Sequence, residues 1–151
     1  MTRRGEERGP HVLVRRERGA SGGGARAARF AAGRALQELG LARAGIGILL
    51  TDDRGIAEAH RDFLGDPSVT DVLSFSAGFA EPGGEGEPPL GDLLISEETA
   101  RREARSRGVA VRREVGFYVV HGILHLLGLD HETDEGEMRR AEKRLLRRVF
   151  G

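Results

Sequence analysis

The stretch VRREVGFYVVHGILHLLG, residues 111–128, constrains the fold more than any other part of the chain. It is the longest apolar-rich run, and a helix of this composition must be buried on most of its sides. It carries two of the five histidines, His121 and His125, and His131 follows shortly after it. Such a helix needs a sheet or other helices around it, and the remaining segments supply both.

Four short runs, HVLVRRE (11–17), GIGILLT (45–51), DVLSFS (71–76) and LGDLLIS (90–96), are apolar and bounded by turn residues, which predicts strands. Between them, ARAARFAAGRALQELG (25–40) predicts a helix with Phe30, Ala31, Leu36 and Leu39 on one face, closed by Gly40. A second helix starts from Asp52 or Asp53 as its cap and runs to Leu64. Ser96 caps a polar helix that Gly108 ends, and the buried helix follows. After the loop LDHETDEG, a last helix bears the stripe Met138, Ala141, Leu145, Leu146 and Val149. The order β-α-β-α-β-β-α-α-α predicts an α/β (α+β) fold in one domain over residues 11–151. Its core is a mixed sheet of about four strands flanked by about five helices. Residues 1–10 are expected to be disordered, and the Gly-, Pro- and Glu-rich segment 77–89 to be a mobile loop.

With 151 residues the chain can bury one real core. Its net charge of zero gives no global attraction to nucleic acid or membrane, although local basic patches remain open. The absence of cysteine excludes disulfides, thiolate metal sites and a cysteine nucleophile, and suits a reducing compartment. No apolar run reaches the roughly 18 residues that span a bilayer. The opening MTRRGEERGP lacks the apolar segment of a secretory signal, so a cytoplasmic location is expected.

The histidines carry the chemistry. On a helix, His121 and His125 project from one face, one turn apart, the spacing of two imidazoles that share a metal ion. Gly128 permits the left-handed turn that ends a helix, so His131 can fold back as a third ligand. A histidine in an apolar helix is more often a packed core residue, but three at this spacing with glycine at the turn favour a metal site. Three neutral nitrogens leave a fourth position for water, the mark of a catalytic centre, and zinc is the default ion, with nickel or another divalent metal as alternatives. Asp130 is a candidate to orient a ligand imidazole, whereas Glu132 reads as a solvated loop acid. In zinc peptidases with a similar frame, a glutamate follows the first histidine and shuttles the proton an amine leaving group needs. Gly122 occupies that place here. This weakens a metallopeptidase or amidase reading and leaves phosphodiester hydrolysis open. A non-catalytic assembly factor with a structural metal is a further alternative.

The segments TDVLSF (70–75), LGDLLIS (90–96), HGILHLLGLDH (121–131) and HETDEGEMRRAEKRLL (131–146) occur together and in this order. The combination resembles the YbeY family of bacterial metal-dependent endoribonucleases, from about residue 45 to the end. The resemblance implies that His121, His125 and His131 hold the metal. It also implies cleavage of single-stranded RNA, maturation of the 16S rRNA 3′ end and ribosome quality control. The implied partners are rRNA and the small ribosomal subunit, with no membrane or DNA involved. Thr70 and Ser74 are candidates for the cleft beside the metal or, equally, turn and strand residues that fix local structure; Asp71 and Asp92 read as structural. The chain departs from the family in the helix before TDVLSF, where an asparagine and a phosphate-contacting arginine are replaced by His60 and Leu64. Arg61, on the same helix face as position 64, is the candidate replacement. Among Arg101, Arg102, Arg105, Arg107, Arg112 and Arg113, the last two are candidate RNA contacts, although interleaved glutamates suit a solvated face.

Overall fold

Two apolar runs become the central strands of the sheet. The computed structural model describes residues 10–17, 23–64, 72–75, 89–129 and 135–150, and of Leu64 only the backbone. Among them β1 (His11–Arg16), β2 (Gly45–Thr51), β3 (Val72–Phe75) and β4 (Pro89–Ser96) form one sheet in the order β1-β2-β4-β3. β1, β2 and β4 are parallel, and β3 pairs antiparallel with β4. β2 and β4 are covered on both faces, which is why they read as continuous apolar runs rather than alternating ones.

Side chains alternate across the strands and sort the core into two layers. Ile46, Ile48 and Leu50 of β2 join Leu93 and Ile95 of β4 in the main core. Over them lie α1 (Gly24–Glu38), α4 (Val111–Leu126) and α5 (Glu137–Phe150). On the other face, Leu73 and Leu94 pack under Ile56 of α2 (Asp53–Leu64). α3 (Glu97–Arg107) follows β4 directly. These elements appear in the predicted order among the described residues. The segments 1–9 and 77–88, expected to be disordered and mobile, lie outside the described residues; Pro89, at the end of the expected loop, already opens β4. No helix of the described residues is long and apolar enough to cross a membrane.

α1 corrects one expectation. Its buried face is Ala28, Ala31, Ala32, Ala35 and Leu36, while Phe30 is 52% exposed. Small side chains let α1 lie close to its neighbours, and a phenylalanine would hold it away. Phe30 instead meets the ring of Phe150 at 6.5 Å between centroids, at the margin of the core.

α4 is buried as its composition requires, with Val115, Tyr118, Val119, Val120, Ile123 and Leu124 in the core. Two glycines set its depth. A side chain at Gly116 would strike the Phe150 ring of α5. A Cβ at Gly122 would stand 2.5 Å from Leu93 Cδ2, and Leu93 is fully buried in β4. The helix ends as expected. Gly128 has φ +93°, its N–H donates to the His125 carbonyl at 2.9 Å, and the Leu129 N–H donates to the Leu124 carbonyl at 3.1 Å. That paired arrangement closes the last carbonyls and turns the chain back.

A polar cluster ties α2 to α3. Asp52 is the cap of α2, accepting from the Gly55 N–H at 2.8 Å. Asp53 instead reaches across: its carboxylate accepts from the Ser96 and Thr99 hydroxyls, each at 2.6 Å, and from Arg102 at 2.9 Å. In return Glu98 accepts from the Asp53 N–H at 2.9 Å. Burial pushes the Asp53 carboxyl up, but the hydrogen bonds from Ser96, Thr99 and Arg102 together with the Arg102 charge outweigh it, and the net shift is downward.

Two outcomes follow from this packing. Gly122→Ala inserts a methyl into a closed contact and is expected to destabilise the protein by about 1–3 kcal/mol, read as a lower urea midpoint; an unchanged midpoint would mean that α4 can lift from β4 freely. For Asp53, a depressed folded pKa means that the ionised form stabilises the fold. This contribution is complete above the unfolded value of about 3.9 and is lost as pH falls through the lower folded value. Asp53→Asn is therefore expected to be less stable than wild type at pH 7, with the difference shrinking at pH 3; a difference independent of pH would contradict the linkage.

Candidate metal and catalytic site

α4 places His121 and His125 one turn apart on a half-exposed face. Their rings meet edge to face, with centroids 4.6 Å apart and planes at 70°. The two Nε2 atoms lie 3.0 Å from each other. Two imidazole nitrogens this close either share a proton or face one ion, and neutral nitrogens of this kind suit zinc, copper or nickel. The donor set of the described part of the site therefore fits a divalent metal. His131 and Asp130 lie outside the described residues. Among the described residues, no group of three or more histidine, cysteine, aspartate or glutamate side chains is placed to hold an ion.

The other ring nitrogen of His121 is also engaged. Its Nδ1 is in hydrogen-bond contact with Oε1 of Glu142, a residue of α5. Glu142 is only 6% exposed. Composition and motif alone do not single it out, although a signal is present. Met138, Glu142, Leu145 and Val149 recur at helical spacing and are all buried, so a carboxylate interrupts a core stripe.

Gly122 takes on a new meaning here. A side chain at this position would start into Leu93 and the sheet, away from solvent. The helix that carries the histidines is thus packed in a way that refuses the peptidase glutamate. Ser74 lies on the same face of the sheet as α4, and its hydroxyl donates to the Gly122 carbonyl at 3.4 Å. That contact pins β3 to α4 and brings Ser74 to the helix backbone.

The candidate arginines are spread apart. α2 packs on the face of the sheet opposite α4, and the Arg61 guanidinium pairs with its neighbour Asp62 at 3.3 Å. Arg112 precedes His121 by about two and a half helical turns, so it projects from the other side of α4. The Arg113 guanidinium stands 5.8 Å over the Phe150 ring. Arg101 and Arg102 pair with Glu97 and Asp53. Arg107 does reach the histidine-bearing face. Its guanidinium lies 5.9 Å over the ring of Phe117, which stands one turn before His121 with ring centroids 6.0 Å apart. Arg107 also pairs with the buried Glu114 at 3.3 Å.

An apolar cavity of about 430 Å³ lies on the α2 side of the sheet, lined by Leu49, Ala59, Phe63, Phe75 and Leu94, with Asp92 and Glu17 among its polar groups. Asp92 is 1% exposed within β4, as suits a structural residue. The cavity and the histidine pair are on opposite faces, and among the described residues its lining carries no histidine.

The family model described as Endoribonuclease YbeY matches residues 26–149. Endoribonuclease YbeY of Thermus thermophilus is 42% identical over 114 residues, spanning 74% of this chain and 81% of the relative. The protein of the same name from Symbiobacterium thermophilum is 46% identical over 125 residues, spanning 76% of this chain and 78% of the relative. The solution structure of TM1509 from Thermotoga maritima is similar in fold, with a TM-score of 0.64 at 22% identity, covering 93% of this chain and 89% of that one.

Proposed function

The chain belongs to the YbeY family, and on that footing we propose that it is a zinc-dependent endoribonuclease that cleaves single-stranded RNA in maturation of the 16S rRNA 3′ end. The observation that carries the reading is the pair of Nε2 atoms, 3.0 Å apart on a half-exposed helix face. His121 and His125 would hold the ion with His131 as the third ligand, and nickel or another divalent ion suits the same nitrogens. When bound, such an ion acidifies coordinated water and offsets charge on phosphoryl oxygens.

The chain's own residues supply the setting. Glu142 contacts the back of His121, and Asp130 is proposed to do the same for a neighbouring ligand. Ser74 holds the edge strand to the helix backbone. Arg107 is the arginine that reaches the histidine-bearing face, over Phe117, and it pairs there with Glu103 and Glu114. Arg61, Arg112 and Arg113 are directed elsewhere, and we assign them no contact with the scissile phosphate. Packing at Gly122 argues against a peptidase, because a side chain there is directed into the sheet. The partners that suit this activity are rRNA and the small ribosomal subunit in the cytoplasm, with ribosome quality control as the wider role.

The test is cleavage of a single-stranded RNA spanning a 16S rRNA 3′ end. Zinc-loaded wild type is expected to cut it, while chelator-treated protein and His125→Ala are not. Arg61→Ala is expected to cut like wild type. A loss on the order of tenfold, about 1.4 kcal/mol of transition-state stabilisation, would return Arg61 to the substrate. Cutting that survives both chelator and His125→Ala would refute the metal-dependent reading. No cutting by folded, zinc-bound wild type would favour the assembly-factor reading.

A further inference from the structure

Glu142 is a carboxylate in a core position. It lies in the buried stripe of α5 between Met138 and Leu145, and is 6% exposed. A carboxylate at such a position costs desolvation that leucine or methionine would avoid. Its neighbours on the stripe, Met138, Leu145 and Val149, are apolar. Among its contacts is Nδ1 of His121.

A carboxylate oxygen in contact with Nδ1 favours the Nδ1–H tautomer of the neutral ring, the arrangement found behind metal-ligating histidines. With Nδ1 protonated, the neutral ring keeps its lone pair on Nε2, and Nε2 is the atom that faces Nε2 of His125. The same contact fixes the ring plane, because the carboxylate is carried on a different helix from the imidazole. α5 is anchored in turn by Met138, Leu145 and Val149 in the main core, which makes the acceptor rigid.

We propose that Glu142 is a positioning residue that fixes the tautomer and orientation of His121, so that its Nε2 is presented together with that of His125 to a divalent cation. The cation part rests on the function proposed above; the tautomer part does not.

The test uses the full chain in three forms: wild type, Glu142→Leu and Glu142→Gln. Leucine keeps the stripe apolar and removes the acceptor, while glutamine keeps an acceptor oxygen of similar reach without the charge. Ring ¹⁵N–¹H correlations of the chelator-treated protein report which nitrogen of His121 carries the proton. Competition with a chromophoric chelator reports zinc affinity, and thermal melting reports folding. Wild type is expected to hold the proton on Nδ1, and Glu142→Leu to lose that preference while still melting cooperatively. Zinc affinity is expected to fall about 10–100-fold in Glu142→Leu and by less in Glu142→Gln, as for the loss of a carboxylate behind a ligating histidine. The same tautomer in wild type and Glu142→Leu would overturn the proposal, as would zinc affinity within about twofold of wild type, given typical effects of 10-fold or more. Should Glu142→Leu fail to fold, the wild-type tautomer decides, and a proton on Nε2 rather than Nδ1 of His121 in the chelator-treated protein overturns the proposal. If wild type binds no divalent ion, the metal function falls, and the tautomer measurement alone decides the role of Glu142.

Discussion

The close approach of α4 to β4 at Gly122 and Leu93 is the contact on which the rest of the arrangement depends. Because position 122 has no side chain, the helix settles onto the sheet and fills the main core with Val119, Val120, Ile123 and Leu124. Its depth leaves the face that carries His121 and His125 half-exposed at the surface. α5 then packs beside it, and Glu142 arrives behind His121 rather than in front of it. A deeper or shallower helix would separate the imidazoles from that carboxylate.

The sheet works as a divider. Alternation along β4 directs Leu93 and Ile95 to the α4 side and Leu94 to the α2 side. The histidine pair and Glu142 are therefore on one side, and the apolar cavity under α2 is on the other. The Asp53 cluster serves this division indirectly. It ties the first turn of α2 to the first turn of α3, and α3 begins where β4 ends.

Much of this was legible in the sequence, and the parts that were not share a cause. Element order, the Ser96 cap, the glycine ends at Gly108 and Gly128, and the buried character of α4 all rest on local chemistry, which needs no knowledge of the fold. Helix spacing alone placed His121 and His125 on one face. Phe30 was misplaced because periodicity marks a face without saying how close its neighbour will come, and α1 is pressed near enough to require alanine. Arg61 shares a helix face with position 64, but which side of the sheet α2 occupies is a property of topology. Glu142 was missed because charged residues are usually assigned to solvent. Only the helix spacing shared with Met138, Leu145 and Val149 betrays it, and its partner lies on another helix, 21 residues away in sequence.

The central claim is that the helix-borne pair of imidazoles and a histidine beyond the Gly128 turn hold one divalent ion. X-ray absorption at the zinc edge of the loaded full chain tests it most directly, comparing wild type with His131→Ala. The account predicts a nearest-neighbour shell containing three imidazole nitrogens at about 2.0–2.1 Å, reduced to two in His131→Ala. A shell without imidazole nitrogen, or one unchanged by His131→Ala, would contradict it.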